Sequence, residues 1–387
     1  MVATILCSIG FVSSAFVPRI EVLYLTIGVI TGIGAGLTYT PTVVMVTLFF
    51  KKRRSFANGV TVAGNGIGYF LYPFLMKYLF DEYTLFGTLI IIGGVMLHSC
   101  IGAALLRPLE SFRKKTPREM DDLNPEDDVN EIQGGATQEE VDTMFEKKNT
   151  KTSEHSKAQS ENCCQSCVKN FSFKDIFDYT YLCNPVFLLF GLSFAFANMS
   201  YSNLFIVVPP HANECGVTKS QMALLVSMAG LADLFGRIIF GFVSDLKFVR
   251  RRFVYILGML AGGTSALMAP LARDFATLAV YSCWYGLFGG SYWSLVAPLM
   301  ADSFGDQQIS KVFGLTTSFI SIPSLLSPPI LGWLRDGTGN WDMSFRIAGI
   351  WMLMAALFGL LVQLGERHVR RREAAEKATD VKDLPIA

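Results

Sequence analysis

The sequence predicts an all-α membrane protein: a bundle of about ten transmembrane helices, four before a polar segment and six after it. Three observations carry this prediction. Hydrophobic residues make up 51% of the 387, and charged residues only 17%, against about 25% in soluble globular chains. Apolar runs of about 20 residues, the length that crosses a bilayer, recur at 1–17, 22–49, 56–79, 85–106, 184–208, 221–244, 253–270, 275–300, 312–333 and 343–364. The charges are clumped, with a large share in 107–180 and 366–387. A large soluble helical core would need amphipathic helices with a polar face, and these runs are apolar all round. The net charge of +1 gives no sign of a polyanionic partner such as nucleic acid.

The first run has the apolar middle and small-residue end of a signal peptide but lacks a basic start. A second long run follows directly after Pro18-Arg19-Ile20-Glu21, so the first reads as a span. Orientation follows from basic residues in short loops, which stay in the cytoplasm. Lys51, Lys52, Arg53 and Arg54, then Arg107, Arg113, Lys114 and Lys115, then Lys247, Arg250, Arg251 and Arg252, then Arg367, Arg370, Arg371 and Arg372 all fall on one side of a ten-span chain. The opposite loops, 18–21, 80–84, 209–220, 271–274 and 334–342, hold no basic cluster. Both termini and the 107–180 loop are then expected in the cytoplasm.

That loop is rich in Glu, Asp, Lys, Ser and Asn, a composition that does not bury enough apolar surface to fold. It is expected to be disordered. Within it Cys163, Cys164 and Cys167 have only His155 nearby, short of the two ligand pairs of a zinc site. Free or palmitoylated thiols fit better. Eight cysteines, mostly in spans and in this loop, make no disulfide framework, and no metal or other cofactor is expected.

The stretch FFKKRRSFANGVTVAGNGIG, 49–68, sets a basic cluster against glycines. It is not a dinucleotide fingerprint, because the third glycine comes one position early. No Lys-Ser or Lys-Thr follows to complete a phosphate loop. The basic residues read as a span-flanking anchor. Gly59, Ala63, Gly64 and Gly68 place small residues about four apart, which lets two membrane helices approach closely.

Chemistry is sought among charges inside spans, since burying them in lipid is expensive. Asp233 and Arg237 are four residues apart near the centre of one span, hence on one helix face, with Gly230 and Gly241 close to the same stripe. Opposite charges at this spacing pair. A structural ion pair is one reading. The functional reading has Arg237 receiving an anion in its planar fork while Asp233 shares a proton. Burial favours the neutral acid and the adjacent guanidinium favours the carboxylate, so solute entry would change the balance. Weaker candidates for the pathway are polar Asn198, Ser200, Tyr201 and Asn203 in one span and aromatic Trp284, Tyr285, Tyr292 and Trp293 in another. No acidic ring or filter-like loop suggests a channel.

These residues resemble the monocarboxylate transporters of the major facilitator superfamily. Phe49 to Gly59, with Lys52 and Arg53 in its basic cluster, followed by Ala63, Gly64 and Gly68, looks like the family's fifth-span signature. Asp233 and Arg237 match its eighth-span pair, implicated in substrate and proton handling. Gly241-Phe-Val-Ser-Asp245-Leu-Lys247 with Arg250-Arg251-Arg252 resembles the loop motif between the eighth and ninth spans, and Leu23 to Val29 with Gly32 and Pro41 resembles the fourth span. Phe56 and Thr61 stand where the family usually has Leu and often has Ala. The resemblance covers nearly everything outside the 107–180 loop and the tail.

The resemblance implies a secondary active transporter of a small monocarboxylate or related organic solute, proton-linked, in the plasma membrane. Its expected partners are the solute anion, a proton, the bilayer and a single-span accessory glycoprotein. The domains would be an incomplete four-span lobe at 1–106, the cytoplasmic loop 107–180, a six-span lobe at 181–365 and a cytoplasmic tail at 366–387. The family has twelve spans. Here its first two, with their acidic-Gly-Gly-Trp-type motif and a substrate-binding lysine, are not found, as if the product were truncated or its start placed late. Transport sites lie at the interface of two lobes, so losing two helices would take away one wall. The competing expectation is therefore a non-transporting isoform that binds a partner.

Overall fold

The computed structural model describes residues 1–17, 19–105, 181–182 and 184–382, without the side chains of 105 and 367–382. Among the described residues every regular element is helical. In order they are α1 Val2–Ala15, α2 Ile20–Phe49, α3 Arg54–Leu97, α4 Ser99–Leu105, α5 Pro185–Tyr201, α6 Leu204–Glu214, α7 Lys219–Ser244, α8 Arg251–Met268, α9 Phe275–Phe304, α10 Ile309–Thr338 and α11 Asp342–Lys382. The loop expected to be disordered, and Cys163, Cys164 and Cys167 within it, lie outside the described residues.

Seven helical stretches among the described residues are long and apolar enough to cross a membrane. The stretch Arg54–Ala104 has 51 residues, roughly 75 Å by helical rise, and covers two of the predicted spans. The sequence placed a loop at 80–84 between them. The backbone narrows it to a single break at Thr84, with φ 58° and ψ −177°. Helix α1 has only 14 residues, short for a crossing. Helix α9 has 30 but carries many Gly, Ser, Tyr and Trp residues. Its place explains its composition: Tyr285, Gly286, Gly289, Ser291, Tyr292 and Ser294 are all buried. Where protein walls the helix at these residues no lipid-compatible surface is needed, while Val280 and Trp284 on the same helix stay exposed.

Local chemistry sets the ends of the helices. Asn184 caps α5 by accepting from the Val186 N–H at 2.9 Å, with Pro185 at the first helical position. Thr218 and Gln221 form a capping box on α7, and Asp274 and Thr277 form one on α9. The Thr277 hydrogen bonds also hold the exposed Asp274 carboxyl below its ordinary range. Helix α10 stops where Gly339 turns left-handed, at φ 75°.

The first half of α3 runs antiparallel to α7, and this pairing positions the site. A Cβ on Gly241 would meet the Ser55 carbonyl at 2.8 Å, one on Gly66 would meet the Leu234 backbone at 2.8 Å, and one on Gly230 would meet the Tyr69 backbone at 2.8 Å. Gly59 lies directly against the Arg237 carbonyl. The sequence assigned the close approach to Gly59, Gly64 and Gly68. The structure keeps Gly59 and uses Gly66, while a Cβ on Gly64 or Gly68 would meet nothing within 4 Å. Four-residue spacing drifts around a 3.6-residue helix, so the row leaves the contact face after Ala63.

Two substitutions test this packing in detergent-purified protein. Gly66→Ala should cost about 1–3 kcal/mol from overpacking and lower the melting temperature, while Gly64→Ala leaves it unchanged or slightly raised. Equal effects would contradict the pairing. Thr84 sits in a region of backbone space that is nearly glycine's alone, a strain on the order of 1–3 kcal/mol. Thr84→Gly should therefore raise the melting temperature.

Candidate functional site

Asp233 and Arg237 lie one turn apart on α7 and are 0% and 1% exposed, so neither charge is screened by water. The Arg237 Nε donates to Asp233 Oδ2 at 2.8 Å. Its Nη2 donates to the Tyr201 hydroxyl at 2.8 Å, and that hydroxyl donates to Asp233 Oδ1 at 2.9 Å. Its Nη1 donates to the Val62 carbonyl on α3 at 2.8 Å. The guanidinium is thus held by α7 itself, by α5 and by α3.

Helix α9 supplies the floor. A Cβ on Gly290 would meet the Asp233 carbonyl at 2.7 Å and its Oδ1 at 2.9 Å, and one on Gly289 would meet the Tyr201 ring at 2.8 Å. The Gly289-Gly290 pair makes room for the Tyr201–Asp233 contact. Around it stand the Tyr201, Phe205 and Tyr292 rings. Tyr69 stacks on Phe205 with centroids 4.1 Å apart.

Beside the triad the seam between α1–α4 and the later helices is aromatic. Tyr39 of α2 meets Trp293 of α9 edge-on at 5.8 Å and lies near Phe313 of α10. A cavity of about 320 Å³ opens among α1–α4, lined by Thr38, Tyr39, Thr42, Thr61, Val62 and Asn65. It touches Val62, the residue whose carbonyl holds Arg237. No group of three metal-ligating side chains converges among the described residues.

Of the pathway candidates, Tyr201 joins the ion pair and Trp293 faces Tyr39. Asn198 instead donates to Ser324 on α10 at 3.0 Å. Tyr292 is fully buried and donates to the Phe194 carbonyl at 3.3 Å, so it packs the later helices together. Sequence reading passed over Tyr39, Gly289 and Gly290. A Gly-Gly pair in an aromatic span was the one signal available.

The basic motifs meet at one end of the bundle. Asp245, just past α7, accepts from the backbone N–H of Phe56 at 2.8 Å and of Ser55 at 3.3 Å. It caps α3, whose own N-cap residue Arg53 makes no side-chain cap bond. Arg251 bridges Asp245 at 2.9 Å and Asp302 at 2.7 Å. The buried Arg54 reaches Asp306 at 2.5 Å, and Arg252 pairs with Glu366. Lys52, Arg53 and Arg250 make no ion pair among the described residues. Asp302 and Asp306 answer the basic clusters together with Asp245 and Glu366. Asp302 and Asp306 follow the apolar run of α9 four residues apart, a pattern sequence reading left unused.

The sequence model of the Major Facilitator Superfamily matches residues 1–197 and 188–386. Monocarboxylate transporter 12-B of Danio rerio is 30% identical over 388 residues, covering 98% of this chain and 75% of the relative. The chain belongs to the monocarboxylate transporter family. Monocarboxylate transporter 12 of Xenopus laevis is 29% identical over 386 residues, with 98% of this chain and 76% of the relative covered. Human monocarboxylate transporter 14 is 29% identical over 383 residues, covering 92% and 75%. The solved structure of the proton:xylose symporter XylE bound to 6-bromo-6-deoxy-D-glucose aligns at a TM-score of 0.56 and 16% identity. That alignment covers 92% of this chain and 78% of XylE, and the likeness is one of fold. The chain is therefore a multi-pass membrane protein of a transporter family and not an enzyme.

Removing one partner of a buried ion pair strands the other charge, at about 3–5 kcal/mol. Arg237→Ala should accordingly destabilise the purified protein strongly, and adding Asp233→Ala should recover part of the loss. A double variant no more stable than Arg237→Ala would mean that the two charges do not compensate each other.

Proposed function

We propose that this transporter carries a small monocarboxylate or related organic solute together with a proton, by alternating access, with Arg237 receiving the carboxylate and Asp233 the proton. The observation that supports this reading is the fully buried, mutually neutralising Asp233–Tyr201–Arg237 cluster. A bare anion entering this cluster would leave a net negative charge in a low-dielectric site, at a high cost. A proton on Asp233 removes that charge and releases the Arg237 Nε for the anion. Solute and proton then add as a neutral pair. The cavity that reaches Val62 is the approach we assign to the solute.

Residues 1–106 and 181–365 act as two lobes, and the end that gathers Lys51–Arg54 and Arg250–Arg252 faces the cytoplasm, as basic loops do. Both termini lie on that side, and the membrane is the plasma membrane. The family resemblance adds a single-span accessory glycoprotein as a delivery partner.

Uptake of a radiolabelled panel of short alkyl, hydroxy and aryl monocarboxylates into proteoliposomes tests the assignment. Arg237→Lys keeps the charge but loses the fork. It should lower uptake of the preferred acid roughly 10- to 100-fold, the worth of about 1.4–3 kcal/mol in charge-assisted hydrogen bonds. Wild-type uptake by Arg237→Lys would overturn the role of Arg237. No uptake of any acid by the well-folded wild type would favour the partner-binding reading.

A further inference from the structure

Proline 298 leaves a gap in the middle of α9. A helical carbonyl is normally met by the N–H four residues on, and for Ser294 that residue is Pro298, which has no N–H. The Ser294 carbonyl is nevertheless satisfied, and the donor comes from α3. The Asn58 Nδ2 donates to it at 3.0 Å and to the neighbouring Trp293 carbonyl at 3.1 Å. Asn58 is fully buried, and its own Oδ1 has no partner. One turn along α3, the Val62 carbonyl accepts from Arg237. Two successive turns of α3 are thus bonded to the C-terminal helices, both beside the site.

We propose that Asn58 is a positioning residue that latches the two lobes shut at the basic end by capping the carbonyl orphaned by Pro298. The proposal rests on the two-lobe transporter reading. Separating the lobes there removes the Asn58 amide and exposes a carbonyl with no helical donor, which only entering water or another donor satisfies. Water meets that carbonyl in the open state, whereas in the closed state Asn58 meets it, so without Asn58 the closed state alone carries the cost of an unmet group. Because the Arg237–Val62 bond shares the same seam, a carboxylate that draws the guanidinium away from Val62 leaves Asn58, the Ser227–Phe70 bond and the Asp245 and Asp306 contacts at the basic end to hold it. Loading thus weakens the closed seam by one bond next to Asn58.

The test needs no solute, so its outcome is separate from that of the uptake experiment. Spin labels are attached through keto side chains at Lys52 and Lys247, two exposed positions at the basic end of α3 and just past α7. Their distance distribution is read by pulsed electron resonance in reconstituted protein. Asn58→Ala should raise the long-distance population about tenfold, the worth of leaving one buried polar group unmet. Pro298→Ala returns an N–H to the Ser294 carbonyl, so Asn58→Ala in that background should shift the population only about two- to threefold, as for a plain hydrogen bond. Pro298→Ala alone should raise it modestly, which keeps the test open if Asn58→Ala does not fold. An unchanged distribution in both single variants, or the same factor for Asn58→Ala with and without Pro298, would overturn the latch.

Discussion

A guanidinium charge cannot sit in the middle of a membrane protein unless its donors are met, and the arrangement of this bundle follows from how Arg237 meets that demand. Its three bonded nitrogens take acceptors from three helices, α7, α5 and α3. The ion pair with Asp233 cancels the charge. The Tyr201 hydroxyl, accepting from one partner and donating to the other, fixes the geometry of both. Such a pair is costly to bury and adds little net stability over well-packed apolar residues. Its place at the seam between the first four helices and the rest is the reason to read it as functional.

Close packing makes the arrangement reachable. The Val62 carbonyl comes within hydrogen-bonding distance of Arg237 because Gly59 and Gly66 bring the α3 backbone against α7. Gly289 and Gly290 do the same on the other side, letting Tyr201 and Asp233 settle against α9. At the basic end, Asp245 caps α3 and Arg251 joins it to Asp302. The same pair of helices is thus fixed by small residues and a buried cation at mid-depth, and by charges at one end. Apolar packing tolerates sliding, whereas these bonds have defined donors and acceptors, so their making and breaking marks discrete states.

Much of this was legible from residue types. Apolar runs of bilayer length marked the helices, because a membrane leaves the backbone few alternatives, and seven helical stretches among the described residues are long and apolar enough to cross. Asp233 and Arg237 stood out because charge inside a span is rare. What stayed hidden depended on three-dimensional register. Periodicity picked Gly64 and Gly68 and missed Gly66, since a four-residue rule drifts from the true contact face. The break between the first pair of α3 spans shrank to Thr84, because no glycine or proline marks it. Val62 takes part through its carbonyl, which every residue has, so no side-chain pattern announces it. Asn58 was visible only as one letter of a motif, and its partner carbonyl is singled out by a proline 240 positions later in the chain.

The central claim is that solute and proton enter the buried pair together as a neutral unit. Charge movement measures this most directly: wild-type protein in proteoliposomes on a solid-supported membrane, given a pulse of its transported acid at fixed pH on both sides. The account predicts net uptake accompanied by alkalinisation outside and no transported current at any imposed potential. A current that scales with uptake and with potential, without proton movement, would contradict it.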